Sequence, residues 1–431
     1  MKKIYICIVL LIPMLLNAQK LLTLKNAIDT ALKNNYDLQI TKNFVKIATV
    51  NNTYGMAGGL PYINANFGDN LYSNNTSQKL NTGPQTNENG IVGTTLNAGI
   101  SANIILFNGF KVIATKKRLD YLQKQSEIEL NGQIQNTIAE VMLKYYDIIR
   151  QQGYLLIMQN MLDVSEKKLE IINAKNNVGM ANGVDVMQAQ SDVNAAEQNL
   201  AIQQLIIEQE KADLLLLINS QTKEPYSIYD SIVIDKSLVW DSITNYLKKN
   251  PQLLSADQQI KIYEQIVKET SAQRIPLLKM NTAYNFDRTV NNSGYTLLNQ
   301  NYGPSVGLTL QIPIFNGNVY KTQKTIADIN VNNSRLEKEN LYNTLINSAF
   351  KEYLSFTAAL KQIESQKKNY ELAKKLVDLV LKNFQYGQVT ILDVKAAQTT
   401  YENAAYLLIN FQYNAKIAEI VLKQLVYQLT Y

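Results

Sequence analysis

The chain has 431 residues, and 42 lysine and arginine residues against 36 aspartate and glutamate residues give a formal net charge of +6. This modest charge is not typical of a nucleic-acid-binding protein, so we expect no nucleic-acid partner. Histidine is absent and Cys7 is the only cysteine, which excludes histidine-based catalysis, cysteine-ligated metal centres and internal disulfides, and we expect neither a cofactor nor a metal site.

Residues 1–18 have the pattern of a secretory signal peptide. Lys2 and Lys3 precede an apolar run over residues 4–16, and Ala18 provides the small residue of a cleavage site. The alternative is an N-terminal membrane anchor, but about 13 apolar residues are too few to span a bilayer. No later stretch approaches the roughly 20 apolar residues of a transmembrane helix. Any membrane insertion is therefore expected to use β-strands.

The remaining sequence contains an internal duplication, which is the first feature to establish in any fold prediction. Residues 24–66 align with residues 239–281 at an offset of 215 positions. Further on the offset is 208, and Phe107-Asn108-Gly109 then aligns with Phe315-Asn316-Gly317. We predict a first repeat over residues 19–220, an inter-repeat linker over residues 221–238 and a second repeat over residues 239–431.

Each repeat begins with a helical pattern, over residues 24–57 and 239–273. Both patterns are interrupted, the first near Asn35 and the second at Asn250-Pro251, because proline cannot continue a helix interior.

Two strands are expected next in each repeat. Apolar residues occupy alternate positions over residues 96–106 and 306–314, and polar connections are predicted over residues 73–89 and 289–300. Such alternation is typical of transmembrane β-strands, although a half-buried strand of a soluble sheet has the same pattern. The signal peptide and the long helices that follow favour the membrane interpretation.

Long helices are predicted over residues 110–177 and 318–385, which contain no proline. Each would be about 100 Å long, and no compact globular domain needs such a helix. The helix that follows the second of them has apolar residues at alternating three- and four-residue spacing, as in coiled coils. This predicted seam comprises Val394, Ala397, Tyr401, Ala404, Leu408, Phe411, Ala415, Ala418, Leu422, Leu425 and Leu429.

The turns between the long helices have the same pattern in both repeats. Gly179 and Gly387 end the outgoing helices. Each return helix then begins with an N-cap residue that is followed three positions later by an acid, Asp185 or Asp393, which is close to a capping box. These residues could serve only to make a tight helical hairpin. Alternatively, a symmetric oligomer would gather the aspartates into a ring of negative charge.

The tandem order of helix, two strands, long helix, G-x5-D-V-x-x-A-Q turn and long helix resembles the TolC family of outer-membrane efflux proteins. The segments over residues 22–28 and 313–317 are similar as well. The resemblance implies a mainly α fold with a membrane β-barrel. Three chains would each give four strands to a twelve-stranded barrel in the outer-membrane lipids, and their long helices to a coiled-coil tunnel in the periplasm of a Gram-negative bacterium.

The same resemblance implies an efflux or secretion duct that works with a periplasmic adaptor protein and an inner-membrane transporter of the RND or ABC type. Asp393 matches an aspartate that forms a ring at the constricted entrance, and Asp185 matches one that helps to hold the entrance shut. Val389, Ala396 and Phe384 stand where the family often has arginine, aspartate and tyrosine, which puts its salt-bridge latch in doubt. The implied adaptor-contacting residues are Val178, Gly179, Val184, Tyr386, Gly387 and Leu392.

Two other classes of protein are alternatives to the duct. A secreted coiled-coil filament or adhesin would explain the long helices, but it would not explain strands placed identically in both repeats. An enzyme would have to rely on carboxylates, as glycoside hydrolases do, and no paired-carboxylate pocket can be read from the sequence. We therefore expect a protein that is not an enzyme.

Overall fold

The computed structural model describes residues 20–79, 81–220 and 226–429. The predicted signal peptide lies outside the described residues, and the predicted linker is described from residue 226 onward. The elements in chain order are β1 (Lys20–Leu21), α1 (Leu24–Asn34), α2 (Tyr36–Asn51), β2 (Tyr62–Gln78), β3 (Thr86–Phe107), α3 (Lys111–Asn177), α4 (Gly183–Leu217), β4 (Tyr226–Ser227), α5 (Trp240–Leu247), α6 (Pro251–Ala272), β5 (Leu277–Asn291), β6 (Leu298–Gln311), α7 (Val319–Gln385) and α8 (Ile391–Leu425).

The predicted helix interruptions are present. Asn35 separates α1 from α2, and its side-chain oxygen accepts a hydrogen bond from the Leu38 N–H at 3.1 Å. Pro251 is the first residue of α6, where its missing N–H has no cost. The prediction of helix as far as residue 57 was wrong, because α2 ends at Asn51 and a glycine-containing turn follows, with Gly58 at a φ of +79°.

Four antiparallel strands form a sheet in the order β2-β3-β5-β6. Gly99 lies opposite both Asn66 and Asn285, and an added Cβ at Gly99 would approach the Asn285 side chain to 2.7 Å. Among the described residues, β2 and β6 each have a partner on one side only. The sheet therefore ends in two open edges.

The predicted strand ends were partly wrong. Strands β2, β3, β5 and β6 extend into the two segments that were predicted as polar connections, because backbone pairing continues regardless of side-chain polarity. At the other end of the sheet β6 stops at Gln311, so Ile312, Pro313 and Ile314 lie beyond it. Proline cannot donate to a strand ladder.

The long helices reproduce the duplication in their lengths. Helices α3 and α7 each have 67 residues, and α4 and α8 each have 35 residues. No helix in the described part of the chain is both long and apolar enough to cross a bilayer.

The predicted seam of α8 is only partly buried. Leu408, Phe411 and Leu425 are partly exposed, and Leu429 lies past the end of α8. The buried seam residues are Val394, Ala397, Tyr401, Ala404, Ala415, Ala418, Leu422 and Leu429.

The chain divides into two compact units. One comprises residues 41–130 and 251–343 and contains the four-stranded sheet. The other comprises the described residues up to 40, residues 131–250 and the described residues from 344 onward, and it contains both helical hairpins except the first part of α3 and of α7. In this helical unit Ile28, Tyr145 and Leu214 from α1, α3 and α4 lie in one buried core.

Buried charged residues of α8 bind the described part of the predicted linker, residues 226–238. Lys416 and Glu419 are buried and form an ion pair at 3.0 Å. The Lys416 ammonium also donates to the Val233 carbonyl at 2.8 Å, and Glu419 accepts from the Asp235 N–H at 2.9 Å. These bonds compensate the cost of removing both charges from water.

Candidate functional site: the turns between the long helices

Both long outgoing helices end in a Schellman motif. The N–H of Met180 donates to the Lys175 carbonyl at 2.8 Å, and the N–H of Gln388 donates to the Asn383 carbonyl at 2.9 Å. The intervening Gly179 and Gly387 have φ values of +72° and +76°. This left-handed conformation disfavours any residue with a Cβ, so the expected role of both glycines at the turn is confirmed.

Both return helices begin with a complete capping box. In the first turn the Asp185 N–H donates to the Asn182 side-chain oxygen at 2.9 Å. In the second turn the Asp393 carboxylate accepts bonds from the Thr390 N–H and the Thr390 hydroxyl, both at 2.8 Å. The structural part of the prediction for these turns is therefore confirmed.

Asp393 combines this capping role with an exposed charge. The hydrogen bonds from the Thr390 backbone and hydroxyl hold the pKa of the Asp393 carboxyl below its ordinary value. Because the side chain is exposed, capping does not hide its charge from solvent. Asp185 is half-buried at the equivalent position.

Apolar side chains are exposed around both turns. The predicted contact residues Val178, Val184, Tyr386 and Leu392 are 69–75% exposed. Sequence reasoning missed Met180 and Met187, which are 73% and 76% exposed and flank Val184. Their sequence signal was a methionine directly after Gly179 and a second one two residues after Asp185. Large exposed apolar groups that are close together typically mark an interaction surface.

Two polar contacts join the turn region of one hairpin to that of the other. The Lys175 ammonium donates to the Phe384 carbonyl at 2.5 Å. Lys395 of α8 lies 3.8 Å from the Asp192 carboxylate of α4. Sequence reasoning missed these contacts because they join residues that are distant in the chain and follow no periodic pattern.

Asp192 is also part of a buried ion pair with Lys168. The two charged groups lie 2.5 Å apart, and the Lys168 side chain is 1% exposed. Burial opposes ionisation of Asp192 most strongly. The hydrogen bonds from Lys168 and Gln188, together with the charges of Lys168 and Lys395, nevertheless outweigh burial, and the pKa of Asp192 is lowered. The carboxylate is therefore held in its charged form between three helices.

An open cleft of about 770 Å³ lies between the ends of α3 and α7. Its walls combine apolar groups with charges of both signs. Among the described residues no group of three histidine, cysteine, aspartate or glutamate side chains is placed to hold a metal. The cleft is lined by Lys167, Glu170, Ile171, Ala174, Lys175, Val178, Asp378, Leu381, Lys382 and Gln385.

These features define a tandem-repeat protein that combines an antiparallel sheet with two long helical hairpins. The sequence model described as "Outer membrane efflux protein" matches residues 27–220 and again residues 243–426. The chain therefore belongs to the outer membrane efflux protein family, and its compartment is the outer membrane of Gram-negative bacteria.

Individual relatives agree with this assignment. The chain is 20% identical to "Toxin and drug export protein A" of Aggregatibacter actinomycetemcomitans over 400 residues, 92% of this chain and 84% of that protein. It is 20% identical to "Outer membrane protein TolC" of Escherichia coli over 299 residues, 67% of this chain and 61% of that protein. The crystal structure of the outer membrane protein VceC from Vibrio cholerae has the same fold, with a TM-score of 0.74, 17% identity and coverage of 94% of this chain and 95% of that one.

The predicted resemblance and fold class are thereby confirmed. Membership of an efflux-channel family supports a duct over the filament or adhesin alternative. It also fits a protein that is not an enzyme, since the relatives are channels.

Proposed function

We propose that the chain forms a homotrimeric channel-tunnel, an exit duct through the outer membrane and the periplasm for efflux or secretion. The observation that carries this proposal is the pair of open edges at β2 and β6. An open edge in lipid leaves backbone N–H and C=O groups without partners, which costs several kcal/mol for each group. Three copies joined edge to edge would close a barrel of twelve strands, an even number as in bacterial barrels.

The turns between the long helices are the proposed contact with a periplasmic adaptor protein. Support comes from the exposed apolar groups Val178, Val184, Tyr386 and Leu392 and from the cleft between α3 and α7. A helical hairpin of the adaptor can bury these groups and pair with the lysines and acids of the cleft. An inner-membrane transporter of the RND or ABC type would supply the energy for export through the duct.

Asp393 is the proposed entrance residue. Three copies around a symmetry axis would concentrate negative charge at a narrow mouth, and such a mouth attracts cations strongly. Asp185 has the same capping geometry in the first repeat, and we assign it a part in holding the entrance closed. The polar contacts of Lys175 and Lys395 are the proposed substitute for the family latch that Val389, Ala396 and Phe384 cannot form.

Light scattering of the protein in mild detergent tests the assembly. We expect a protein mass three times that of the mature chain. In a separate extraction experiment, salt or urea should not release the protein from membranes. A stable folded monomer would contradict the proposal, and extraction without detergent would favour a filament or adhesin.

A further inference from the structure

A cavity of about 450 Å³ lies where the four-stranded sheet joins the helices. Each of the four connections between a strand and a helix contributes to its lining. The contributing residues include Gly58 before β2, Asn108 after β3, Gln273 before β5 and Pro313 after β6. Because all of its lining residues belong to the unit that contains the sheet, the cavity is formed within a single unit of one chain.

The charged groups of the cavity are all positive. Lys111, the first residue of α3, and Lys279 of β5 line it and are half-buried, and no acid of the described residues lines it with them. Neither lysine forms an ion pair within 4.0 Å in the described part of the chain. Asp287, the only acid of β5, lies eight residues beyond Lys279, about 27 Å along the strand. The described residues therefore supply no close counterion to this cavity.

The remaining polar side chains of the cavity can all donate hydrogen bonds. Asn108, Gln273 and Gln311 have side-chain amides, and Tyr320 has a hydroxyl. The side-chain oxygen of Asn108 already accepts a bond from the Val112 N–H at 3.3 Å, so its NH₂ group is the part that can bind a ligand. Two ammonium groups surrounded by neutral donors suit an anion that has several oxygens.

Comparison of the repeats shows that the fold does not require these lysines. Val319 is equivalent to Lys111 at the offset of 208 positions, and it likewise begins its long helix. Asn64 of β2 is equivalent to Lys279 at the offset of 215 positions. Uncharged residues thus occupy both equivalent positions in elements of the same kind, so the two positive charges are a property of this cavity.

Lys279 lies on the polar face of the sheet. It is opposite Thr309 of β6, and Asn281 is two positions further along β5. Paired residues, and residues two positions apart, project from the same face of a sheet. Met280, which is opposite Leu308, projects from the other face. In the proposed duct the apolar face contacts lipid and the polar face lines the aqueous passage, so Lys279 belongs to the passage.

We propose that this cavity binds the phosphate group of a solute inside the passage, an inference that rests on the proposed duct. A phosphate monoester carries a charge of about −1.5 to −2 at neutral pH, which matches two lysines, whereas a single carboxylate matches only one. The amide and hydroxyl donors would bind the remaining phosphate oxygens. The bound group would supply the missing counterion, at a half-buried site where charges attract each other more strongly than in bulk water. A homotrimer would present three such cavities.

Isothermal titration calorimetry of the full-length channel in a neutral detergent tests the site, with inorganic pyrophosphate as the probe. At low salt we expect saturable binding of one pyrophosphate for each chain. Acetate, the carboxylate control, should bind at least about tenfold more weakly. Added sodium chloride should weaken the binding of pyrophosphate. No saturable binding of pyrophosphate, or equally tight binding of acetate, would overturn the proposal.

Variants locate the binding in the cavity. Lys111→Gln and Lys279→Gln should each weaken pyrophosphate binding at least about tenfold, and the double variant should abolish it. Lys279→Arg retains the charge and should retain most of the binding. The matched control, Lys117→Gln with Lys321→Gln, removes two exposed lysines of α3 and α7 that do not line the cavity and should leave binding intact. Equal losses in the two double variants would assign the binding to general surface charge and overturn the proposal.

Mass spectrometry of the gently extracted channel distinguishes a solute from a lipid headgroup. We expect no phospholipid that the wild type retains and Lys111→Gln with Lys279→Gln loses. A phospholipid retained in this way would assign the cavity to a lipid headgroup and overturn the proposal. Light scattering of the same samples reports the assembly separately. A trimer that does not bind pyrophosphate would refute the site and leave the duct intact, whereas a monomer that binds it would support the site and contradict the duct.

Discussion

Lys175 of α3 and Phe384 of α7 contact each other in two ways. The Lys175 ammonium donates to the Phe384 main-chain oxygen at 2.5 Å and lies 4.2 Å from the centre of the Phe384 ring. The contact joins the last turns of the two outgoing helices and thus ties one repeat to the other. Phe384 is buried, so its ring also fixes the position of the lysine.

Lys175→Met should loosen the two turns relative to each other. The variant removes a charge-assisted hydrogen bond and a cation–π contact, which together contribute about 2–3 kcal/mol. We expect a higher single-channel conductance in planar bilayers, because the entrance opens more readily. The control is Lys167→Met, since Lys167 is 54% exposed and, among the described residues, pairs with Asp163 of the same helix. Equal conductance in Lys175→Met and the wild type would show that this contact does not hold the entrance closed.

Lys168→Met should destabilise the helical unit. The change removes the buried partner of Asp192, whose side chain is 20% exposed, and leaves it only the Gln188 amide at 3.1 Å and Lys395 at 3.8 Å. Breaking a buried pair costs about 3–5 kcal/mol, and we expect the lower end of that range because these two groups remain. Thermal unfolding followed by circular dichroism measures the effect. The double variant Lys168→Met with Asp192→Leu should recover most of the loss, because no unpaired charge remains. A double variant as unstable as the single one would show that the charges are not the cause.

Gly387→Val should strain the second turn without creating a clash. An added Cβ at Gly387 meets nothing within 4 Å, so the cost comes from the positive φ alone, about 1–2 kcal/mol and more for a branched residue. We expect weaker export and weaker adaptor cross-linking with the sheet still folded. Gly183→Val is the control, since Gly183 also meets nothing within 4 Å but does not have a positive φ. Unchanged export and cross-linking in Gly387→Val would exclude this turn from the interface.

Asp393 should stabilise the start of α8 in a pH-dependent manner. Its pKa is lower in the folded state than its ordinary value of 3.8. The stabilisation is therefore complete above the ordinary value and is lost as the pH falls through the lowered one. The melting temperature should differ between the wild type and Asp393→Asn near neutral pH, and the difference should shrink as the pH falls below the ordinary value of 3.8. A difference that is independent of pH would contradict the ionised cap.

The sequence predicted the helical hairpins well and the sheet less well. Gly387 and the acid at position 393 are local signals, because a helix end depends on residues within one or two turns. The ends of β2 and β6 depend instead on whether a neighbouring strand supplies backbone partners, which side-chain alternation does not report. The pairs Lys175–Phe384 and Lys168–Asp192 arise from tertiary packing of helices, so no spacing in the sequence reveals them.

Planar-bilayer conductance of the purified protein is the most direct test of the proposed duct and its entrance. We predict a cation-selective channel that is blocked by divalent or trivalent cations added from the periplasmic side. Asp393→Ala should relieve the block and reduce the selectivity, because it removes the charge at the constriction. A folded, membrane-inserted protein without conductance would contradict the duct, and unchanged block and selectivity in Asp393→Ala would contradict the entrance ring.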